Sequence, residues 1–552
     1  MQPKKDDLLI APLGGMEQIG ANCTMVGNNK EWLMIDLGIA FYDKLGIEVL
    51  TPDISFPVEE RKNLRGIFIT HAHEDHLGAI PYLWTELRCP IYLTEFPAAV
   101  LRQKLKEYDW GNEVPLNIVK PGEVLDIGGF KVEFVSLAHS VLGSCGIFIK
   151  TQAGNIFHTG DWKIDETPLL GDTVDEKRLK EIGEEGVDCL LCDSTNMLAE
   201  AQIGSESAVR EALERVVAQY KDKRITVTCF ASNVARMETI FAVAKKLGRK
   251  VAVIGRSMHK MMAAVEETSY FTSKFKESIA QTIAEDEAMD MPPEKVLFLC
   301  TGSQGEPRSA LSKLARDDNK TVSLGEKDVV VFSSKVIPGN ELEIRDVQNM
   351  LIRRGVEIVT TETEDDIHVS GHPDKKAVAQ MYKWLKPRSL MPVHGDARML
   401  YTQRDFAREC GISEVCIAES GDFVNFSGGR LEKVDHRDVV FDAVDGVDLI
   451  PLNSPELRQR STMSYNGHVS VSFLLSGKKM LGSPEISIEG IYIPAEENGN
   501  ITSKIRQIIS SEITKHSKNA SAIKKDCEAA IKSLFSRNFE KKPLVVVHIL
   551  KQ

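Results

Sequence analysis

Several features that restrict what a chain can do are missing from this sequence. In its 552 residues, no apolar run approaches the roughly 20 residues that a membrane-spanning helix needs, so we expect no membrane partner. The first residues, Met1–Asp7, contain no apolar stretch of signal-peptide length after the basic residues, so we expect no signal peptide. Internal repeats and low-complexity tracts are also missing. These absences leave an ordinary globular protein as the expectation.

The cysteines are few and scattered, and acidic residues outnumber basic ones. Cys189 and Cys192 have the spacing of a zinc knuckle, but they lie in an apolar strand and no second pair accompanies them. The ten cysteines therefore fit a reducing, cytoplasmic setting. The formal net charge of −12 argues against a protein that coats nucleic acid over its whole surface. A local groove lined by metal ions and basic side chains could still attract phosphate.

The length predicts two to four domains, and the pattern of elements changes along the chain. Residues 8–200 read as short strands with glycine turns. From about residue 205, a helix is followed by alternating strands and helices, which indicates a parallel sheet with crossover helices. The segment Asp435–Arg460 is typical of a linker. The last 90 or so residues read as two strands, two helices and a final strand.

The hexapeptide His71–His76 (His-Ala-His-Glu-Asp-His) concentrates donor groups directly after an apolar strand. It contains three imidazoles and two carboxylates, which are the ligands that borderline divalent metals take. The side chains of His71 and His73 can point in the same direction, towards one ion, while Asp75 and His76 could reach a second ion. A surface loop could hold one such histidine by chance, but five donors in six residues favour a metal site.

Further donors stand at the ends of three later predicted elements, at His139, Asp161 and His394. A lone histidine at a strand end is more often a structural residue than a ligand. Small residues flank each of these three donors and leave space beside them, which favours metal binding.

These residues together resemble the metallo-β-lactamase superfamily. The hexapeptide, His139, Asp161 and the early Asp36 carry that resemblance. The turn Asp193–Asn196, His372 and His394 resemble the additional motifs of the nucleic-acid-processing β-CASP branch. Four further motifs occur in the order found in bacterial ribonuclease J and resemble that family: Phe230–Asn233, Gly255–Met258, Thr301–Pro307 and Pro392–Gly395.

The resemblance implies two divalent ions, with zinc as the expected metal and manganese as the alternative. It implies seven ligands: His71, His73 and His139 for one ion, Asp75, His76 and His394 for the other, and Asp161 as the bridge. Asp36 would orient a ligand or the bridging water. The implied catalytic residues are Asp75, His76, Asp193 and His372.

The resemblance also implies a general acid and a pocket for a terminal phosphate. His372, oriented by Asp193, would protonate the leaving 3′ oxygen, although phosphate binding without proton transfer is an equal alternative. The implied phosphate-binding residues are Ser232, Asn233, His368, Ser370, Gly371 and His372. The segment Gly302–Gly305 is similar to a phosphate loop, and a plain tight turn is an equal alternative.

The implied fold class is α/β: a metallo-β-lactamase αββα sandwich with an inserted α/β β-CASP domain and a small α+β C-terminal domain. The predicted boundaries are residues 1–204 and 351–440 for the two parts of the metallo-β-lactamase domain, 205–350 for the β-CASP domain, 441–460 for a linker and 461–552 for the C-terminal domain. In the family, that last domain supports dimers. We therefore expect a homodimer or homotetramer formed through it.

Three positions depart from the family pattern. Alanine stands at 235, where histidine is common, which removes a contact near the phosphate pocket. Asp396 replaces the usual glutamate, and Ser487–Gly490 replaces a Ser-Arg-Gly motif. Neither Ala235 nor Asp396 is an implied ligand, so we expect hydrolysis to persist.

The resemblance implies a cytoplasmic two-metal-ion ribonuclease with 5′-to-3′ exonuclease and endonuclease activity on single-stranded RNA, acting in RNA maturation and decay. One alternative is a hydrolase of the same fold that acts on a small thioester or lactam. The other is an inactive RNA-binding scaffold, which the presence of all seven implied ligands disfavours. The segment Lys504–Lys542 holds ten basic residues against four acidic ones, and a solvated helical face explains this better than RNA contact.

Overall fold

The computed structural model describes residues 2–199, 204–337, 339–477, 479–516 and 519–551, except the side chain of residue 551. The chain forms two compact units. The first contains Met1–Phe41 and Thr51–Val439, and the second contains Tyr42–Leu50 and Val440–Gln552.

The strands before the insert are β1 (Leu8–Gly14), β2 (Met16–Glu17), β3 (Cys23–Asn28), β4 (Glu31–Ile35), β5 (Ala40–Lys44), β6 (Ile47–Thr51), β7 (Leu64–Phe68), β8 (Ile91–Leu93), β9 (Leu116–Ile118), β10 (Val124–Ile127), β11 (Phe130–Ser136), β12 (Cys145–Lys150), β13 (Asn155–His158) and β14 (Cys189–Asp193). The helices in this part are α1 (Ser55–Glu59), α2 (Glu74–Leu77), α3 (Ile80–Leu87), α4 (Glu95–Leu105) and α5 (Glu176–Glu185), with a 3₁₀ turn at Gly111–Glu113.

The insert supplies α6 (Glu206–Gln219), β15 (Arg224–Thr228), α7 (Val234–Lys246), β16 (Lys250–Ile254), α8 (Arg256–Glu266), α9 (Ser273–Ile279), α10 (Glu285–Asp290), a 3₁₀ turn (Pro293–Lys295), β17 (Val296–Cys300), α11 (Ala310–Ala315), β18 (Asp328–Phe332), α12 (Glu341–Arg353) and β19 (Glu357–Val359). Its strands form a parallel sheet in the order β16-β17-β15-β18-β19. This is the predicted parallel sheet with crossover helices. It extends past residue 350, the expected end of the insert, because β19 pairs with β18.

The chain then returns to the first part through α13 (Lys375–Leu385), β20 (Ser389–Val393), β21 (Gly395–Asp396), α14 (Ala397–Glu409), β22 (Glu414–Val415), β23 (Asp422–Ser427) and β24 (Arg430–His436). Two sheets result, in the orders β24-β23-β1-β3-β4-β7-β8-β9 and β10-β11-β12-β13-β14-β20-β22. One apolar core, which includes Val26, Phe68, Phe134 and Leu191, joins their inner faces. A second core packs α5 and α13 against the outer face of the seven-stranded sheet. The predicted sandwich with an inserted domain is confirmed.

The second unit contains β25 (Asp442–Asp445), β26 (Asp448–Pro451), α15 (Pro455–Asn466), β27 (His468–Ser476), β28 (Lys479–Glu489), α16 (Ala495–His516), α17 (Ala520–Phe539) and β29 (Leu544–Lys551). Residues 441–460, predicted to be a linker, form β25, β26 and the start of α15. β25 and β26 share a sheet with β6 and β5. The sheet β28-β27-β29 packs against α16 and α17 through buried apolar residues spaced four apart, all isoleucine in α16. Among the described residues, no helix combines the length and apolarity needed to cross a membrane.

Candidate metal centre

The ends of five strands bring the predicted donors together. In the sandwich, β4 and β7 run parallel in one sheet, while β13, β14 and β20 run parallel in the other. Parallel strands have their carboxyl ends at one edge of a sheet, which is where ligands bind in open α/β sheets. The donors at or just after the ends of these strands are Asp36, His71, Asp161, Asp193 and His394. Residues distant in sequence therefore meet because of strand order.

One donor set consists of His71, His73, His139 and Asp161. The Nδ1 atom of His73 lies 3.1 Å from both His71 Nε2 and His139 Nε2. Burial is the main cause that lowers the pKa of His73 to about 4, and it holds the pKa of His71 and His139 well below the ordinary value. The imidazoles are therefore neutral, and their lone pairs are free to bind a cation.

The other set consists of Asp75, His76, Asp161 and His394. His76 Nε2 lies 3.3 Å from Asp161 Oδ2 and 3.6 Å from Asp75 Oδ2, and His394 Nδ1 lies 3.2 Å from Asp161 Oδ1. Burial disfavours a charged His76, but the surrounding carboxylates outweigh it and raise the pKa of His76 well above its usual value. A buried pocket with this much negative charge favours a cation.

Two buried atoms support this assignment directly. Asp161 Oδ1 and His394 Nδ1 face each other at 3.2 Å without the geometry of a hydrogen bond, and neither atom has another hydrogen-bond partner, although polar groups in protein interiors are almost always paired. His394 also adopts a left-handed backbone with φ of 53°, and its amide donates to the carbonyl of Gly15. Such a conformation is costly for a non-glycine residue and is typical of functional sites. The residues present therefore fit two divalent cations that share Asp161.

In four of the histidines, the ring nitrogen that is not part of the donor set contacts a neighbouring group. His76 Nδ1 lies 2.7 Å from Asp36 Oδ2, and His71 Nδ1 lies 3.0 Å from the hydroxyl of Thr70. His139 Nδ1 donates to the Gly371 carbonyl at 2.6 Å, and His73 Nε2 lies 3.1 Å from Ser232 Oγ. Partners of this kind fix the tautomer and orientation of a ligating imidazole. Asp36 thus lies within hydrogen-bond distance of one candidate ligand, His76.

Two neighbours of the site were missed by sequence reasoning. Thr70 bridges Asp36 and His71, and Asn22 Nδ2 lies 3.1 Å from His76 Nε2. Thr70 directly precedes the hexapeptide, so its place in the chain was a usable signal. Asn22 gave no signal, because it reaches His76 only through the packing of the loop before β3.

His372 and Asp193 form a pair beside both donor sets. His372 Nδ1 lies 2.8 Å from Asp193 Oδ2 and 3.9 Å from Asp161 Oδ2. Burial opposes a charged imidazole, but Asp193 and Asp161 outweigh it and raise the pKa of His372 to about 9. The loop that carries His372 is anchored by Asn196, whose side-chain amide donates to Ser370 Oγ and to the His372 carbonyl. An imidazole whose charged form is favoured by Asp193 is therefore held beside the candidate metal ligands.

The predicted phosphate-binding residues divide into two groups. Ser370 and Gly371 lie in the His372 loop, and Ser232 contacts His73. His368 is half-buried, and its buried Nδ1 atom has no hydrogen-bond partner. Burial lowers its pKa to about 3. The side chain of Asn233, by contrast, is already engaged: its oxygen caps α7, and its nitrogen lies 3.5 Å from Glu206 Oε1.

A charged network beneath this pocket was not predicted. The fully buried Arg236 donates to both carboxylate oxygens of Glu206, and burial of Glu206 is outweighed by Arg236 and Lys163, which lower its pKa to about 2. Lys163 Nζ forms an ion pair with Asp165 Oδ2 at 3.1 Å. Ala235 lines a cavity of about 20 Å³ with these residues, so its small side chain leaves room for about one water.

The Gly302–Gly305 segment is a tight turn. Gly302 and Gly305 have φ of 112° and 76°, and the amide of Gly305 donates to the Gly302 carbonyl at 3.2 Å. A Cβ at position 305 would lie 2.5 Å from the backbone of Glu343, so glycine allows the turn to pack against α12.

Comparisons with known proteins agree with this architecture. Four family models match in succession: "Metallo-beta-lactamase superfamily" (residues 17–182), "Ribonuclease J, beta-CASP domain" (222–351), "Zn-dependent metallo-hydrolase RNA specificity domain" (359–415) and "Ribonuclease J C-terminal domain" (455–552). The chain is 36% identical over 557 residues to Ribonuclease J of Sinorhizobium meliloti, a match that covers 99% of this chain and 98% of that protein. It is 30% identical over 558 residues to Ribonuclease J2 of Bacillus subtilis, with 99% of both chains covered.

A similar solved structure is a crystal structure of a protein of unknown function from Enterococcus faecalis. The TM-score is 0.54 at 16% sequence identity, and the match covers 76% of this chain and 100% of that one. At this identity the likeness supports the fold alone.

Proposed function

The chain belongs to the ribonuclease J family, and we propose that it is a two-metal-ion ribonuclease that cleaves single-stranded RNA. It would act both as a 5′-to-3′ exonuclease and as an endonuclease. The observation that carries this proposal is the shared carboxylate of Asp161. It belongs to both four-residue donor sets and lies 3.9 Å from His372 Nδ1. One site therefore combines two candidate cation positions with a proton donor.

Divalent ions held there would withdraw charge from the scissile phosphate and activate the attacking water. The remaining work falls to residues of this chain. Asp193 favours the protonated form of His372, which would donate its proton to the leaving 3′ oxygen. Asp193 holds the imidazole through Nδ1, so that Nε2 is the atom left to donate. Asp36 keeps His76 oriented.

A pocket for the 5′ phosphate would lie next to this site. His368 supplies a half-buried imidazole whose buried Nδ1 has no hydrogen-bond partner, and Ser370 and Gly371 belong to the loop that carries His372. The side chain of Asn233 would contribute less than its position in the motif suggested, since it caps α7. A phosphate held at a fixed distance from the cleavage site would release one nucleotide per cut.

We further propose zinc as the working metal, with manganese as the alternative, because imidazole and carboxylate donors suit both ions. The protein would act in the cytoplasm in the maturation of ribosomal RNA and the decay of messenger RNA. It would form a homodimer or homotetramer through its C-terminal domain.

One experiment tests the central proposal. A single RNA is prepared with a 5′ triphosphate, a 5′ monophosphate or a 5′ hydroxyl, and digestion by the metal-loaded protein is followed with time. We expect mononucleotides to be released fastest from the monophosphate, and internal cuts to be independent of the 5′ group. If the metal-loaded protein turned over none of the three RNAs, the proposed function would be wrong.

A further inference from the structure

The loop after β18 lies at the edge of the insert's sheet that faces the metal centre. The chain leaving β15 reaches Ser232, whose hydroxyl lies 3.1 Å from His73 Nε2. Since β17 and β18 flank β15 and run parallel to it, the segments that follow all three strands leave the sheet at this edge. Two of those segments are Thr301–Gly305 and the residues from Ser333 onward. The edge of the sheet that faces the metal centre therefore includes residues beyond those of the phosphate pocket.

The loop is also tied to the buried network under the pocket. The Arg236 guanidinium donates to the carbonyl and hydroxyl of Ser333, and the Ser333 hydroxyl donates to the Ile367 carbonyl at 2.7 Å. Ile367 precedes His368, the predicted phosphate-binding histidine. The charge of Lys335 is among those that lower the pKa of His368. Lys335 follows Ser333 by two residues, so the loop that carries it is held against the residue before His368.

The side chain of Gln304, in the neighbouring turn, holds this loop through hydrogen bonds to its backbone. Its Nε2 donates to the Lys335 carbonyl at 2.9 Å, and its Oε1 accepts from the Ile337 amide at 2.9 Å and from Asn340 Nδ2 at 3.3 Å. Gln304 is buried and belongs to the tight turn that packs against α12. Both ends of one rigid amide thus hold the backbone on either side of Val336.

The loop held by Gln304 exposes a lysine ammonium group beside two exposed apolar side chains. Lys335 is exposed, and Val336 and Ile337 are 41% and 40% exposed. Backbone phosphates are bound by lysine, while sugars and bases offer apolar faces. An RNA strand that leaves the phosphate pocket would contact the lysine and the apolar side chains together.

We propose that Lys335 binds a backbone phosphate of the RNA strand beside the 5′-phosphate pocket, with Val336 and Ile337 against the adjoining nucleotide, and that Gln304 is the positioning residue that holds this loop in place. The inference rests on the proposed function, because the occupant is its RNA substrate.

The test compares two lysines at opposite ends of one strand. Lys335 follows β18, whereas Lys327 directly precedes it at the far edge of the sheet, and both are exposed. In the metal-loaded protein, Lys335→Ala should raise KM for a 5′-monophosphorylated RNA about three- to tenfold. The salt dependence of RNA binding should fall by an amount that corresponds to about one phosphate contact. Its kcat should stay within about twofold. Lys335→Arg should restore KM, and Lys327→Ala should leave it unchanged.

The positioning role of Gln304 has its own readout. Gln304→Leu keeps the volume but removes both hydrogen-bonding groups, while Gln304→Glu keeps an acceptor and removes the donor to the Lys335 carbonyl. Each should raise KM for RNA. Combined with Lys335→Ala, each should add little further loss, because the two residues act through one contact. Hydrolysis of bis(p-nitrophenyl) phosphate, which is too small to reach the loop, should be unchanged in all variants.

The outcomes separate this inference from the proposed function. If the wild-type protein does not hydrolyse RNA, the proposed function fails. If it does, but Lys335→Ala and Lys327→Ala have the same KM and salt dependence, only the assignment of Lys335 is overturned. Fully additive losses in the double variants, or equal losses on the small phosphodiester, would overturn the positioning role of Gln304.

Discussion

The imidazole of His372 and the carboxylate of Asp193 meet at 2.8 Å, although 179 positions separate them in the chain. Asp193 ends β14 and is fully buried, while His372 belongs to a loop that Asn196 anchors. Because the carboxylate binds Nδ1 and stabilises the charged ring, the pair is suited to donating a proton from Nε2.

His372→Gln should separate proton donation from phosphate binding. Loss of a general acid should lower kcat on RNA by about 10²- to 10⁴-fold and leave KM nearly unchanged. On thymidine 5′-(p-nitrophenyl phosphate) the loss should be far smaller, because p-nitrophenolate leaves without a proton. A similar loss on both substrates, or an effect confined to KM, would instead indicate that His372 only binds phosphate.

The Asp75→Ala, His76→Ala double variant should lose one of the two cation positions. Metal analysis should find about two ions per chain in the wild type and about one in the variant, because His71, His73 and His139 remain. RNA hydrolysis should be abolished. His436→Ala replaces a histidine that pairs with Asp422 away from the site, and it should change neither quantity. Wild-type activity in the double variant would contradict the ligand assignment.

Ser232→Ala should reveal which of two roles this serine has. As the partner of His73 Nε2, its loss should weaken metal binding by about ten- to a hundredfold, measured by chelator competition. If it served only as a phosphate ligand, metal affinity would stay constant, and KM would rise selectively for 5′-monophosphorylated RNA. Ser232→Thr keeps the hydroxyl and is the matched control.

Glu206→Gln should make stability less dependent on pH in the acid range. The folded pKa of Glu206 is about 2, below its ordinary value of 4.5, so the charged form stabilises the fold above about pH 4.5. That contribution, about 3 kcal/mol at neutral pH, is lost as the pH falls from 4.5 towards 2.

The measurement is the free energy of unfolding in urea at several pH values. The difference between wild type and Glu206→Gln should be largest at pH 7 and should shrink on acidification. Exposed Glu266→Gln should cost less than about 0.5 kcal/mol at any pH. A difference that grew with acidification would contradict the Arg236–Glu206 interpretation.

Local signals predicted much of the fold. The insert forms the predicted parallel sheet with crossover helices, and the second unit ends in the predicted order of two strands, two helices and a strand. Alternating apolar residues and four-residue spacing are properties of one segment, so they can be read without its neighbours. The strands within residues 441–460 were missed because β25 pairs with β26 and shares a sheet with β6, almost 400 positions earlier.

The sequence by itself determined the donor chemistry of this protein, because the residue types in His71–His76 and the motifs resembling ribonuclease J are local. Only the tertiary structure decided which other side chains surround those donors: Ser232 contacts His73, and Asn22 lies beside His76. It also decided that Gln304 holds the loop of Lys335. These contacts depend on which strands lie side by side and where their ends fall. The packing of the whole sheet sets that order, and no single segment encodes it.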